Sequence, residues 1–303
     1  MLSLKEYLFQ PKKTLIVILE HFFTWLPDKV YLKLLFRLRM GRRLNLDNPQ
    51  TFSEKLQWLK LYDRNPEYIK MVDKFEVKDY VAKALSNDYI IPTLGVWDRI
   101  EDIEWDTLPD KFVLKTTHGG GSSGVIICKD KASFNRSNAI NSLKKSLRQD
   151  IYCTLKEWPY KSLNKRIIAE KYIEPNSAMN DLPDYKFFCF NGQPKYCQVI
   201  SGRETKKSID FFDHNWEHQL FHEPRNYPFA EVEPSRPDAL EKMWLAATKL
   251  AKDKPFSRID FYEVGGSVYF GEITFFPTSG MGGFDPEEWD DIFGSWIQLP
   301  TKN

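Results

Sequence analysis

Hydrophobic positions change their spacing along this chain close to residue 108. Before it, apolar side chains recur at helical intervals in residues 55–61 and 67–85, and the polar stretch 48–54 offers an N-cap for the first helix. After it, short β-rich runs alternate with Gly and Asn, at residues 111–115, 124–128, 166–173, 186–190, 195–200, 258–263 and 268–273. Helical spacing returns within residues 133–157 and after Pro237. The pattern therefore predicts an α+β fold whose strands form mostly antiparallel hairpins.

A basic and apolar segment precedes these elements. Its apolar run at residues 14–19 stops at Glu20 and His21, so it falls short of the roughly 20 apolar residues that cross a bilayer. No small-residue cleavage site follows the run, as one would in a signal peptide. Residues 30–39 place Lys and Arg among apolar residues at helical spacing. They predict either an interfacial helix attracted to anionic lipid or a helical layer packed on the main domain.

Charge and cysteine content limit the binding partners and the cellular compartment that we expect for the protein. The net charge of +1 over 303 residues lacks the basic excess of a dedicated nucleic-acid binder, so we expect no nucleic-acid partner. Residues 1–43 alone carry nine Lys and Arg against three acids, a net +6, which makes them the region for any peripheral membrane contact. The four cysteines contain no CxxC pair, which argues against a disulfide scaffold or a zinc ribbon. We expect a cytoplasmic protein, with peripheral contact at the inner face of the membrane as an option.

A glycine-rich loop joins two predicted strands. Gly119, Gly121 and Gly124 match the GxGxxG spacing, but a dinucleotide site needs a strand followed by a helix, and here a second strand follows. No Walker lysine ends the loop, and Lys115 precedes it, whereas the phosphate-binding lysine of a kinase flap comes after. The loop is therefore either a glycine flap whose backbone N–H groups close over a triphosphate or a flexible hairpin tip.

Two carboxylates lie on adjacent strands near the C-terminus. Asp260 and Glu272 alternate with apolar neighbours, so both side chains face the same side of one hairpin. Like charges side by side are unfavourable unless a cation lies between them, and Mg²⁺ prefers such oxygen ligands. Arg258 shares the face and is placed to meet an anionic intermediate. The alternative is a solvated face of an edge hairpin.

Together these features resemble the ATP-grasp superfamily, and most closely its TupA-like branch, typified by teichuronopeptide-biosynthesis proteins of bacterial surface polysaccharide clusters. The resemblance runs from about Asn48 to the C-terminus. It is carried by NPQTFSEKLQWLKLYDRNPEYIKMVDK, LPDKFVLKTTHGGGSSGV, IIAEKYIE, DYKFFCFNGQPKY and RIDFYEVGGSVYFGEITFFPTSG. It implies an ATP-grasp fold, with ATP between two α+β subdomains at 109–175 and 176–303. A helical region at 48–108 and a basic, apolar helical extension at 1–47 precede them.

The resemblance also implies roles for individual residues toward ATP and Mg²⁺. Lys115 matches the strand lysine that contacts the phosphates and the adenine side. The small-residue flap corresponds to Gly119, Gly120, Gly121, Ser122 and Ser123. The hinge whose backbone contacts adenine corresponds to Glu170, Lys171, Tyr172 and Ile173. Asp184 corresponds to an acidic residue that often contacts the ribose, and Lys186 corresponds to a basic residue that often contacts phosphate or substrate.

The remaining implied roles concern the metal and the reacting groups. Asp260 and Glu272 match the metal carboxylates, and Thr274 replaces the Asn of the common E-x-N-x-x-P pattern. A hydroxyl is a poorer metal ligand than an amide oxygen, so the pattern leaves one or two metals open. Arg258 matches the positively charged residue near the developing oxyanion. His118 either touches the phosphates or the acceptor, or caps the turn.

The implied activity is ATP-dependent joining of a carboxylate and an amine through an acyl phosphate, with release of ADP and phosphate. The implied substrates are a carboxylate-bearing sugar or glycan and an amine or amino acid. Alternatives are a glycosyltransferase, suggested by the 15% aromatic content but lacking a convincing sugar-nucleotide site, and a non-catalytic ATP-binding scaffold at the membrane. Two further patterns have weaker interpretations. His214, His218 and His222 have the four-residue spacing of a helical metal site, but residues 209–216 predict a strand and then a turn, which would spread the rings apart. We expect Asp290-Asp291 to be solvated rather than to form a sugar-nucleotide metal motif.

Overall fold

The computed structural model describes residues 11–120, 124–175, 182–202, 206–224 and 227–301. The α-helices are α1 Pro11–Phe22, α2 Asp28–Met40, α3 Phe52–Tyr62, α4 Glu67–Val72, α5 Val77–Ala84, α6 Arg136–Leu147, α7 Ile151–Leu155, α8 Leu240–Ala251 and α9 Glu288–Trp296. The strands are β1 Thr93–Trp97, β2 Phe112–Thr116, β3 Val125–Cys128, β4 Ile167–Lys171, β5 Asp184–Phe190, β6 Gln193–Ser201, β7 Ser208–Phe212, β8 His218–Gln219, β9 Phe256–Val264 and β10 Ser267–Thr274. The predicted α+β composition is confirmed.

The smaller sheet has four strands in the order β1-β4-β2-β3, all antiparallel to their neighbours. Alternate side chains of β2 and β4 point to one face, where Leu114 and Ile167 are fully buried against Leu143 of α6. The glycine-rich loop connects β2 to β3, as the sequence predicts. This sheet therefore holds the base of the loop on a rigid platform.

The larger sheet has six strands in the order β10-β9-β5-β6-β7-β8, also antiparallel throughout. Asn191 and Gly192 form the predicted turn between β5 and β6, with φ angles of 47° and 81°. Both residues lie in the left-handed region that a two-residue hairpin turn requires, and Asn and Gly adopt it with little strain. Helix α8 covers this sheet with the fully buried Leu240 and Met243.

Helix α2 packs on the main domain through one face. Tyr31, Leu32, Leu35 and Phe36 are fully buried in the large hydrophobic core, at the spacing of one helical stripe. The structure therefore agrees with the predicted helical layer for residues 30–39. None of the helices in the described ranges is long and apolar enough to cross a membrane.

The N-terminus of α3 is fixed by the predicted cap and by a distant acid. Thr51 and Glu54 form a reciprocal capping box. Asp290 of α9 accepts hydrogen bonds of 2.8 Å from both the backbone N–H and the hydroxyl of Ser53, and it pairs with Arg42 at 2.5 Å. The expectation that Asp290 is solvated is therefore wrong, because it satisfies one of the unpaired N–H groups at the start of α3.

The helix predicted over residues 67–85 is interrupted. Asp73 accepts hydrogen bonds from the backbone N–H groups of Phe75 and Glu76, at 2.8 and 2.9 Å, which ends α4 and begins α5. Short Asp side chains compete with helical hydrogen bonding in this way. The break leaves the backbone N–H of Lys74 free of the helical ladder, and it donates to Thr117 at the base of the glycine loop.

Candidate functional site

The site begins as a row of charged residues across three strands of the larger sheet. Lys186 on β5 lies opposite Asp260 on β9, and Asp260 lies opposite Glu272 on β10. In the same hairpin Arg258 lies opposite Thr274. Because side chains alternate along a strand, these five residues share one face of the sheet. The predicted placement of Asp260, Glu272 and Arg258 on one face is thus seen in the structure.

The guanidinium of Arg258 lies between the two carboxylates. Its Nε and Nη2 each lie 2.7 Å from an oxygen of Asp260, a bidentate pair, and Nη2 lies 3.2 Å from Glu272 Oε1. Nη2 also donates to the hydroxyl of Thr274, which in turn donates to Glu272, both at 3.2 Å. The cation expected between Asp260 and Glu272 is therefore supplied by the chain itself in this structure.

Lys186 completes the ionic cluster from the other side. Its ammonium contacts Asp260 and lies 3.1 Å from Asp184. Burial lowers the pKa of Lys186, and the charge of Asp260 opposes that effect. Asp184, the residue implied for the ribose, is itself buried beside this lysine.

Glu272 is the most accessible carboxylate of the cluster, with 26% of its side chain exposed. Burial alone would raise its pKa, but the positive charges of Lys74, Lys186 and Arg258 outweigh burial and hold the pKa of Glu272 well below its usual range. Glu272 therefore stays ionised at neutral pH, as a metal ligand must.

On the smaller sheet, Lys115 pairs with a buried acid. Lys115 Nζ and Lys78 Nζ each lie 2.6 Å from an oxygen of Glu170, whose side chain is only 6% exposed. Burial alone would raise the pKa of Glu170, and the two lysines lower it overall. Glu170 was implied only as a hinge residue acting through its backbone. Its side chain holds two lysines over the central strands of the sheet that carries the loop.

The rest of the implied hinge lies at the end of the same strand. Lys171 is exposed, and its backbone N–H donates to Pro92 at 2.9 Å. Tyr172 and Ile173 follow β4 and are half-buried.

Lys74 connects the two halves of the site and was not among the predicted site residues. Its ammonium lies 3.2 Å from Glu272 Oε2 and donates to the carbonyl of Gly119 at 2.5 Å. The sequence signal that could have pointed to Lys74 was the preceding Asp73, because an Asp within a helical pattern favours a helix cap and so a break in the helix. Lys78, one helical turn later, was also missed because residues 67–85 were predicted as a single helix.

The base of the glycine loop is tightly packed. His118 is buried, and its Nε2 lies 3.1 Å from the carbonyl oxygen of Ser146. Burial, reinforced by the charge of Lys165, lowers the pKa of His118 to about 4, so the ring is neutral at pH 7. His118 therefore packs beneath the loop, as a residue that supports the turn would. Its contact with phosphates or an acceptor stays a prediction.

Glycine is required where the loop returns to the sheet. Gly124 has φ of +77°, and a Cβ there would lie 2.3 Å from Ser146 Oγ. Gly120 faces open space. Gly121, Ser122 and Ser123 lie outside the described residues.

The three histidines separate only in part. His214 lies apart, beside Glu241, whereas His218 and His222 both pack on Phe229, and His218 Nε2 lies 3.2 Å from Asp210. The predicted spreading of the rings therefore holds for His214 and is wrong for the other two.

The donor set suits a nucleotide and a divalent cation. Asp260 and Glu272 offer hard carboxylate oxygens, and Lys74, Lys115 and Lys186 offer positive charge for phosphates. Among the described residues, no group of three or more His, Cys, Asp or Glu side chains could hold a metal by itself. Phosphate oxygens and water would therefore complete the coordination shell, which is usual for Mg²⁺.

Several solved structures share low similarity with the chain. A D-alanine–D-alanine ligase from Bacillus anthracis is 18% identical with a TM-score of 0.41, over 67% of this chain and 56% of that one. The ADP complex of purK, N5-carboxyaminoimidazole ribonucleotide synthetase, is 16% identical with a TM-score of 0.40, over 73% and 50%. A RimK domain ATP-grasp protein from Sphaerobacter thermophilus is 11% identical with a TM-score of 0.39, over 77% and 68%. The chain thus spans about half the length of the first two.

Sequence comparison gives a more direct result. No curated protein matches the chain. The profile of the family described as TupA-like ATPgrasp matches residues 54–298, which include both sheets and every charged residue of the site. The chain therefore belongs to the TupA-like ATP-grasp family and has the ATP-grasp fold.

Proposed function

We propose that the protein is an ATP-dependent ligase that joins a carboxylate to an amine. The observation that carries the proposal is the contact of Lys74 with both Gly119 at the loop base and Glu272 on the larger sheet. This contact brings the glycine loop and the acidic cluster to one place, with cations on both sides. Family membership supports the same activity.

Each half of the site has a task in this proposal. Lys74, Lys115 and Lys186 would hold the phosphates, and Asp260, Glu272 and Thr274 would hold Mg²⁺. The metal would supply charge neutralisation for the triphosphate. Phosphoryl transfer depends mainly on positioning and on such neutralisation, so no nucleophilic Ser or Cys is needed.

The reaction has two steps. A carboxylate oxygen of the acid attacks the γ-phosphorus, the bond to the β–γ bridging oxygen breaks, and ADP leaves. The amine nitrogen then attacks the acyl carbon, phosphate leaves with the electrons of the C–O bond, and the nitrogen loses a proton to give an amide. Arg258 stabilises the negative charge that develops on the acyl oxygen. A glycine loop closed over the site, as the family resemblance implies, would keep water from hydrolysing the acyl phosphate.

The proposed substrates follow from the family resemblance. We place the enzyme in the cytoplasm, in bacterial surface polysaccharide biosynthesis, with a uronic acid or a glycan bearing one as the acid. An amino acid or another amine is the second substrate.

The alternative activities have less support. Asp290, considered for a sugar-nucleotide metal motif, is engaged with Ser53 and Arg42 instead. The presence of Lys115, Asp260 and Glu272 at the positions that the family resemblance implies argues against a degenerate scaffold.

Nucleotide binding tests the first part of the proposal. Thermal unfolding is compared with Mg-ATP, Mg-ADP or a UDP-sugar, in the wild type, Lys115→Met and the control Lys111→Met, whose exposed lysine pairs with the exposed Glu174. A ligand at about 100 times its Kd stabilises by roughly 2.7 kcal/mol. We expect adenine nucleotides to raise the midpoint in the wild type and the control but not in Lys115→Met. A midpoint raised only by the UDP-sugar would contradict the ligase and favour a glycosyltransferase.

Trapping tests the chemistry itself. Hydroxylamine attacks acyl phosphates and gives stable hydroxamates. With Mg-ATP, hydroxylamine and a panel of uronic acids, we expect ADP and hydroxamate in equal amounts. ADP that forms at the same rate without any acid would show hydrolysis alone and overturn the carboxylate step.

A further inference from the structure

The helical hairpin formed by α1, residues 23–27 and α2 carries more than half of the exposed large hydrophobic side chains of the described residues. Twelve large hydrophobic side chains are exposed in the described part of the chain, and seven of them lie between residues 15 and 34. The seven are Leu15, Ile18, Phe22, Phe23, Trp25, Val30 and Leu34. Phe22 and Trp25 are the most exposed of these, at 70% and 74%. Exposed apolar patches of this kind mark interaction surfaces.

Four of the seven exposed side chains line one groove rather than scatter. Leu15, Ile18 and Phe22 follow one another at three- and four-residue spacing on α1. A groove of about 470 Å³ lies between α1 and α2, and Leu15, Ile18 and Leu34 are among the residues that line it. This face differs from the stripe of α2 that packs on the main core. Packing on the domain and docking to a partner are therefore compatible.

Basic side chains border the same face. Lys12 and Arg37 line the groove, and Lys33 lies one turn from Arg37 on the exposed side of α2. Within the described ranges, neither these bases nor Lys13 and Lys29 have a carboxylate partner, in contrast to Arg39, which pairs with Glu20.

The acids of the hairpin are already neutralised. Glu20 lies 2.7 Å from Arg39, and Asp28 lies 3.2 Å from Arg64 and 3.7 Å from Lys156. The acids of the hairpin therefore do not offset the exposed bases named above. A purely apolar partner surface would leave those charges unpaired.

We propose that the α1–α2 hairpin docks the protein on an anionic lipid bilayer. Apolar side chains flanked by Lys and Arg are the surface that binds such a bilayer, with the rings among the acyl chains and the bases at the headgroups. Trp25 lies at the tip, where an amphipathic ring suits the interface. The inference does not depend on the ligase activity, because it involves none of the residues of the nucleotide site.

Vesicle co-sedimentation of the full-length protein tests the inference. Vesicles of phosphatidylcholine alone are compared with vesicles containing about one-third phosphatidylglycerol. We expect binding to the anionic vesicles and little to the neutral ones. Binding should weaken as salt is raised, since screening shortens the reach of the basic residues. Equal binding to both vesicles, or to neither, would overturn the proposal.

Two variant pairs separate the surface from general effects. Lys33→Glu with Arg37→Glu should lower the partition coefficient on the order of tenfold or more, because each base near an anionic surface contributes severalfold. The matched control reverses Lys144 and Lys145, which are exposed on α6. Controls that lose as much binding as the hairpin variants would show non-specific attraction and contradict the proposal.

Replacement of exposed apolar residues by serine tests the hydrophobic contribution to membrane binding. Phe22→Ser with Trp25→Ser should reduce binding to anionic vesicles, whereas Leu245→Ser, which is 65% exposed on α8, should not. All variants keep the thermal response to Mg-ATP if they are folded, which distinguishes failure of docking from failure of the nucleotide site. Light scattering without lipid completes the test: a wild-type dimer that these two serines dissociate, with no vesicle binding, would assign the face to self-association instead.

Discussion

Acidification is expected to destabilise the protein through His118, which is buried beneath the glycine loop. The pKa of this ring is 6.5 in an unstructured chain and about 4 in the fold, because burial and the charge of Lys165 disfavour the protonated form. Since the folded pKa is the lower one, the unfolded chain takes up the proton first. The stability that the neutral ring provides is complete above about pH 6.5 and is lost as the pH falls toward 4.

The size of the effect follows from these two pKa values. At about pH 5.5 the folded ring is still almost entirely neutral, whereas roughly ten in eleven unfolded chains carry the proton. The resulting loss is about 1.4 kcal/mol, compared with less than about 0.1 kcal/mol at pH 7.5. Other groups also titrate in this interval, so the effect must be isolated by substitution.

His118→Gln is the variant that removes only the titration. The Gln amide reaches as far as Nε2 and can still donate to the carbonyl oxygen of Ser146, which lies 3.1 Å from that nitrogen. Urea unfolding at both pH values gives the free energy of each protein. We expect the wild type to lose about 1.4 kcal/mol more than the variant between about pH 7.5 and pH 5.5.

His21→Gln provides the matched control, because His21 is exposed on α1. Its pH dependence should follow that of the wild type. Equal losses in the wild type and in His118→Gln would refute the argument, since the ring would then titrate alike in the folded and unfolded states.

Three further predictions concern stability. Gly124→Ala should cost about 1–3 kcal/mol in urea unfolding, because it combines a φ of +77° with a Cβ only 2.3 Å from Ser146 Oγ; loss of less than about 0.5 kcal/mol would show that the loop base yields easily. Thr51→Ala should cost about 1 kcal/mol by removing the α3 cap, and an unchanged midpoint would mean that Asp290 suffices. Glu170→Gln should cost about 2 kcal/mol or more in the same assay, because two buried lysines lose their common carboxylate; a neutral result would place both ammonium groups in water.

Local sequence signals predicted the elements well. The N-cap of α3, the Asn191–Gly192 hairpin and the strands on either side of the glycine loop all occur as expected. Each depends on residues close in the chain, where caps, turns and alternation leave a readable pattern. The shared face of Asp260 and Glu272 was predictable for the same reason, because a short turn joins their strands.

Contacts between distant segments were not predictable in this way. Lys74 and Glu272 lie far apart in sequence, and nothing local to either one indicates a 3.2 Å contact. Burial of Asp290 against Ser53 and the pairing of Glu170 with Lys78 have the same character. Each depends on how α3, α5 and α9 pack against the sheets, which periodicity does not encode.

The sequence by itself determined the type of each main element, the acidic hairpin and, through its motifs, the family. Only the tertiary structure decided which cations face those acids and that α2 buries one face while α1 and α2 leave another exposed. The physical reason is that secondary structure follows local backbone preference and side-chain spacing, whereas ion pairing and exposure depend on packing of segments remote in the chain. The partner of a buried charge can therefore be identified only from the folded structure.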